Sequence, residues 1–153
     1  MNKKSAGILL FRLKNNKLEV MLVHPGGPFW AKKDEGAWSI PKGEYEQGED
    51  PAEAAKRELA EETGVELNSS LIELGELRQP SGKIVHAWAA NQDCDPSEIR
   101  SNTFEMEWPP NSGKLQMFPE VDRGGWFTTT GARSKLHKGQ AGFIDKLRQI
   151  LGL

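Results

Sequence analysis

The segment GEYEQGEDPAEAAKRELAEETGV, residues 43–65, carries seven glutamates, and its reading decides the fold. The helix signals in it are complete. Asp50 suits an N-cap, Pro51 the first helical position, and Glu53 stands three residues past the cap. Gly64 is the residue type found just beyond a helix end, so the spacing predicts a helix over 51–63. At about 100° per residue, Ala52, Ala55 and Leu59 share one narrow face that must meet the core. Glu58, Glu61 and Glu62 occupy the adjoining arc, on the border between core and solvent.

Carboxylates three and four positions apart on a helix repel one another. The pairs Glu53–Arg57 and Arg57–Glu61 offset this by only a few tenths of a kcal/mol each, roughly. A solvated acidic face is one reading of the pattern, and a cation site is the other. Hard oxygen ligands on a rigid helix suit Mg²⁺ or Mn²⁺, either of which would neutralise the repulsion. Mg²⁺ commonly shares its coordination with substrate phosphates and acidifies bound water, so the chemistry points to phosphoanhydride or phosphodiester cleavage. Spacing alone does not choose between these.

Working outward, 153 residues with 37% hydrophobic and 27% charged content fit one globular domain with a sizeable core. The net charge of −2 gives no general attraction for DNA, RNA or an anionic membrane. Polyanions must therefore be met locally, by basic residues or bound cations. Cys94, the single cysteine, excludes an internal disulfide and suits a reducing compartment. Arg12 and Lys14 interrupt the N-terminal apolar run before a signal core or membrane span is complete, so a cytoplasmic protein is expected.

SAGILLFRL and LEVMLVH read as strands of a hairpin joined by KNNK, and LIELGELRQ and KIVHAWAAN as strands flanking Pro80-Ser81-Gly82. WSI suggests a short strand, TFEMEW another, and Trp126–Thr129 a third, with PPNSGKLQMFPEVDRGG as a long loop. GARSKL and QAGFIDKLRQIL read as helices, the second presenting Phe143, Ile144, Leu147, Ile150 and Leu151 at helical spacing. Strands in hairpins with helices coming late predict an α+β protein. His24, His86 and His137 show no zinc spacing, and no Ser-His-Asp arrangement is evident.

Gly43, Glu49, Arg57, Glu58, Leu59, Glu61, Glu62, Gly64 and Val65 fill every specified position of G-x5-E-x7-R-E-U-x-E-E-x-G-U. The stretch thus resembles the signature of the Nudix hydrolase family. That resemblance implies a mixed β-sheet sandwiched between helices, one such domain over residues 1–153, and metal-dependent hydrolysis of a nucleoside diphosphate linked to some group X. Carried over by position, Glu61 and Glu62 would be metal ligands and Glu58 a ligand or the general base. Arg57 would orient them, and Glu58, Arg57 and Glu61 form the expected catalytic set. Gly43, Glu49 and Gly64 would shape the motif, with Glu49 supporting the loop or a further metal. The backbone carbonyl of Lys42 would add a metal ligand. An additional acidic ligand is implied ahead of the Trp126 strand, where Glu120 fits best and Glu105 and Glu107 compete.

The lead-in Trp38-Ser39-Ile40-Pro41-Lys42-Gly43 is similar to that of dinucleoside polyphosphate and diphosphoinositol polyphosphate hydrolases within the family. The implied substrate is a small nucleotide, above all a dinucleoside polyphosphate such as diadenosine tetraphosphate, with no long nucleic acid and no membrane as partner, in a monomer or homodimer. The alternatives are a house-cleaning nucleoside triphosphate pyrophosphatase, a nucleotide-sugar hydrolase and a silent nucleotide-binding regulatory domain. Lys42 can meet phosphate as a point charge, Arg78 and Arg123 in bidentate fashion, and His86 from a strand position. The rings of Trp30, Trp88 and Trp108 suit core or loop packing more readily than base stacking.

Overall fold

The computed structural model describes residues 4–153, and the basic residue Lys3 of the N-terminal run lies outside them. The chain opens with the expected hairpin, β1 (Lys4–Lys14) and β2 (Lys17–Pro25). Asn15 and Asn16 form its two-residue turn with φ of 52° and 63°, the double left-handed conformation that matches strand twist and that asparagine tolerates. β3 (Lys42–Tyr45), helix α1 (Pro51–Thr63), β4 (Ile72–Arg78) and β5 (Ile84–Asn91) follow. Then come β6 (Thr103–Glu107), β7 (Leu115–Pro119), β8 (Val121–Thr128), α2 (Thr129–Lys135) and α3 (Gly142–Leu151).

The main sheet runs β4-β5-β1-β2-β8, with β3 also on β1. Its β1–β5 pair is parallel and its other pairs antiparallel, so it is mixed. β1 forks: residues 11–14 pair with β2, whereas residues 4–7 pair with β3. Strand alternation sends side chains to opposite faces. Ala6, Ile8 and Leu10 face α1 with Ala54, Ala55 and Leu59, while Leu9 and Phe11 face the Phe143, Ile144 and Leu147 side of α3. The result is a mixed sheet between helices, the α/β/α sandwich of an α+β protein that the resemblance implies.

Several local expectations need correction. WSI makes only isolated bridges, Val23 with Ser39 and Trp38 with Leu136. The anticipated loop over 109–125 contains β7 and the start of β8, so β6 and β7 form a separate two-stranded sheet. Prolines 109 and 110 and Gly113 mark only the tip of that hairpin. Ile150 stays half exposed rather than joining the core. Asp50 has extended N-cap backbone but no side-chain cap bond, and Glu53 binds Lys56 at 3.1 Å instead of Arg57.

Candidate active site

Helix α1 is held at its C-terminal end by backbone rather than by basic side chains. Gly64 takes the left-handed conformation, φ 76°, and its N–H donates to Ala60 O at 2.8 Å. Arg100 N–H donates to Thr63 O at 3.0 Å and Asn102 N–H to Glu61 O at 2.8 Å, satisfying two further last-turn carbonyls. The segment ahead of β3 is fixed just as firmly. Ser39 and Val23 exchange backbone bonds of 2.9 and 3.0 Å, and Ile8 N–H donates to Pro41 O at 3.1 Å. Buried Gln140 accepts from Ile40 N–H at 3.0 Å and donates to Ser39 Oγ and Gln79 Oε1. This network joins Trp38–Lys42 to the short 3₁₀ turn Lys138–Gln140.

The glutamates of α1 meet β3 here. Glu58 is 8% exposed, and a Cβ on Gly43 would lie 2.1 Å from its carboxyl carbon and Oε2. Only glycine leaves room for that carboxylate. Arg57 donates to Glu58 Oε1 at 2.9 Å and to Glu49 Oε2 at 3.0 Å, and lies 3.6 Å from Glu61 Oε1. Arg57 therefore spans three of the signature carboxylates at once. Glu62 accepts from the Lys42 backbone N–H at 3.2 Å.

Burial is the main force on these groups. It pushes the Glu62 carboxyl up to about 8, with Glu58 and Glu120 adding to the rise against Lys42. Burial and then Glu61 also raise Glu58, more than Arg57 lowers it. Glu120, between β7 and β8, thus contributes its charge to both helix carboxylates, whereas Glu105 and Glu107 lie out on β6. Among the described residues no three carboxylate, imidazole or thiol groups converge closely enough to hold a metal ion. The donor chemistry nevertheless fits a divalent cation: hard oxygens, partly desolvated, with raised proton affinity and too little local positive charge.

Other anticipated residues are distributed more widely. The row Gly43–Ala6–His86 crosses β3, β1 and β5 on the α1 face, which puts His86 two strand spacings, about 10 Å, from Gly43. His86 bonds Glu73 Oε2 at 2.6 Å and stacks on Trp88 at 4.1 Å between centroids. Lys42 leaves the strand on the other face, its Cβ directed at Gly7. Burial and then neighbouring Lys83 lower its ammonium pKa, against the pull of Glu62, Glu44 and Glu58. Arg78 donates to Gly82 O at 3.1 Å and so serves the β4–β5 turn. Arg123 lies over buried Trp38 at 5.3 Å and 3.6 Å from Asp122.

One buried hydrogen-bonded arrangement was not legible in the sequence. Fully buried His24 faces Asp122 Oδ1 through Nδ1 at 2.9 Å and Lys33 O through Nε2 at 2.6 Å. Asp122 is the extra residue where β8 bulges opposite His24 and Pro25, and bulges re-aim side chains in this way. His24, Trp38 and Asp34 thereby secure the 26–37 loop, Trp38 Nε1 donating to Asp34 at 2.8 Å.

The model of the NUDIX domain matches residues 1–147. The chain belongs to the Nudix family. Beyond the family model, the chain is 35% identical over 104 residues to an RNA pyrophosphohydrolase of Rhizobium meliloti, covering 58% of this chain and 57% of that protein. It is 33% identical over 101 residues to an octanoyltransferase of Myxococcus xanthus, covering 66% of this chain and 25% of that protein. The Nudix chain therefore spans between a quarter and just over half of these curated relatives. A Caenorhabditis elegans Ap4A hydrolase structure superposes with a TM-score of 0.68 at 22% identity, covering 97% of this chain and 98% of that one, which shows a shared fold.

Proposed function

We propose that this Nudix chain is a divalent-cation-dependent pyrophosphohydrolase. It cleaves a phosphoanhydride bond in a nucleoside diphosphate linked to X, with a dinucleoside polyphosphate such as diadenosine tetraphosphate as the leading substrate. The observation that carries this reading is the burial of Glu58 and Glu62 beside β3, where desolvation raises their carboxyl proton affinity and the charge of Glu120 adds to both and that of Glu61 to Glu58. Stabilising ion-pair networks do the opposite to carboxylates.

Glu61, Glu62, Glu120 and the Lys42 carbonyl would hold Mg²⁺ or Mn²⁺. Such an ion supplies charge neutralisation on phosphoryl oxygens and an acidified water. Glu58 is either a further ligand or the base that takes the proton from the attacking water, and burial together with Glu61 raises its proton affinity. Arg57 fixes the direction of Glu58 and Glu61. His86 and Arg123 are the candidates for substrate contact, while the Lys42 side chain leaves β3 on the face opposite Gly43. The leaving phosphate departs as the anhydride bridge opens.

A 5′-polyphosphate on RNA is the second reading, favoured by the name of the Rhizobium relative and opposed by the net charge of −2. A Mg²⁺-supplemented screen of diadenosine tetraphosphate, nucleoside triphosphates, ADP-ribose and a 5′-triphosphorylated oligonucleotide, with product identification, separates these. Dominant pyrophosphate release from simple triphosphates would remove the preferred substrate. The double substitution Glu61→Gln/Glu62→Gln should abolish turnover while the chain stays folded, and near-normal turnover in that variant would sink the site assignment.

A further inference from the structure

The β6–β7 hairpin lies outside the main sheet, yet both of its feet stand in the glutamate site. Asn102, just before β6, donates to Glu61 O at 2.8 Å. Glu120, just after β7, donates to Asn102 O at 2.8 Å, and its own carbonyl accepts from Gly26 N–H at 2.9 Å. A continuous run of backbone bonds therefore leads from the glutamate helix, through the hairpin base, into the 26–37 loop.

Loop and hairpin then meet through aromatic rings. Phe104 lies against Gly27, 2.9 Å from where a Cβ would stand. Phe29 and Trp108 meet edge-on at 6.0 Å between centroids, and Phe104 and Phe118 at 6.0 Å. Phe29 remains 63% exposed and Trp30 38% exposed. Rings that are fixed in place yet open to solvent forgo the burial that usually retains them. The same loop carries cations: Lys33 Nζ lies 5.0 Å over Trp30, and Lys32 is exposed beside it. The acidic residues Glu105 and Glu107 pair with Met117 and Leu115, alternating with the Phe104–Phe118 pair and so on the other face of the hairpin.

We propose that the rim formed by Phe29 and Trp30, braced by Trp108 and Phe104, is a nucleobase subsite. It receives the heteroaromatic base of the nucleotide whose phosphates lie at the glutamate helix. Flat π-faces bind bases by stacking without reading their identity, and the adjoining lysines match the anionic chain that follows the base. Continuity with Glu120 and Glu61 favours this occupant over a separate partner. The subsite selects nucleotides over inositol polyphosphates, which offer no flat ring. The inference rests on the hydrolase reading for where the phosphates lie.

Equilibrium binding of AMP and of ribose 5-phosphate, measured with Mg²⁺ by calorimetry and tryptophan emission, tests it without turnover. The two ligands differ only in the base. The wild-type chain should bind AMP about tenfold more tightly, a modest stacking contribution. Phe29→Ala and Trp30→Ala should each bring AMP toward the ribose 5-phosphate value while leaving ribose 5-phosphate unchanged, and Leu115→Ala on the opposite face should alter neither. Equal binding of the two ligands by the wild-type chain overturns the proposal, as does an AMP preference that survives in Phe29→Ala/Trp30→Ala. Self-association abolished by Phe29→Ala would assign the rim to a second copy and also overturn it. A chain that prefers AMP but hydrolyses no nucleotide keeps the subsite and loses the hydrolase reading.

Discussion

Replacing Gly43 with alanine isolates the geometry on which the site depends. The new Cβ would stand 2.1 Å from the Glu58 carboxyl carbon, where carbon–carbon contact requires about 3.5 Å. Gly43 is not among the glycines with positive φ, and four register pairs hold β3 to β1, so the backbone accepts alanine without moving aside. Glu58 must retreat instead, by more than about 1 Å, whereas metal–ligand distances tolerate only about 0.2 Å. Misplacement on that scale at a reacting centre is expected to lower kcat/KM about 100-fold. The folded state should survive, since Glu58 moves toward water as it leaves. Steady-state hydrolysis with Mg²⁺, thermal melting and a double-mutant cycle with Glu58→Gln provide the check. Once Glu58→Gln is present, Gly43→Ala should cost little more, because both changes act on one carboxylate. Gly43→Ala with hydrolysis within a few fold of wild type, or fully additive losses in the cycle, would refute the role given to Glu58 at Gly43.

Three further outcomes are expected. With chelator present, Glu62 keeps its proton up to about 8 in the folded chain but ionises near 4.5 when unfolded, so stability should fall as pH rises between these values; melting temperatures at pH 5 to 8.5 should show this slope, flattened in Glu62→Gln and opposed by Mg²⁺. Arg57→Lys, which cannot reach Glu49 and Glu58 together with a planar fork, should lower kcat about tenfold with little change in KM, measured on the best substrate of the screen. Gln140→Leu should destabilise by about 2–3 kcal/mol in urea titration, because the Ile40 N–H and Gln79 lose their buried partner.

What the sequence revealed follows from the range of the interactions concerned. Helix α1 was legible to the residue because Pro51, Gly64 and the Ala/Leu spacing act within one or two turns. The carboxylate arc followed from the same local rules. By contrast, β7 depends on Phe118 finding Phe104, a partner across a turn rich in proline and glycine, and its own residues do not alternate. The His24–Asp122 pair joins positions 98 apart, and Gln140 meets Ile40 across 100, so no window along the chain contains either. Lys42 shows a subtler limit. Its position beside the signature was plain, but strand alternation sends its Cβ to the face opposite Gly43, and only the β1–β3 register reveals that.

The sign of the carboxyl shifts argues that the glutamate cluster is maintained for chemistry rather than stability. Arg57 touches Glu49 and Glu58 and lies near Glu61, and Lys42 feels Glu62, so attractive partners are present. Desolvation and mutual repulsion still win at Glu58 and Glu62. A cluster kept for folding would lower those proton affinities and gain stability at neutral pH. At Glu58 and Glu62 the shift is upward instead, and the surrounding structure is rigid backbone: the Asn102 and Arg100 bonds at the helix end, the Gly43 cradle and the Gln140 network behind Ile40. Rigid support for carboxylates that would otherwise separate is what a divalent cation requires of its ligands. It also accounts for the placement of the hairpin, since the bonds that cap the glutamate helix are the same ones that set its aromatic rings at the edge of the site.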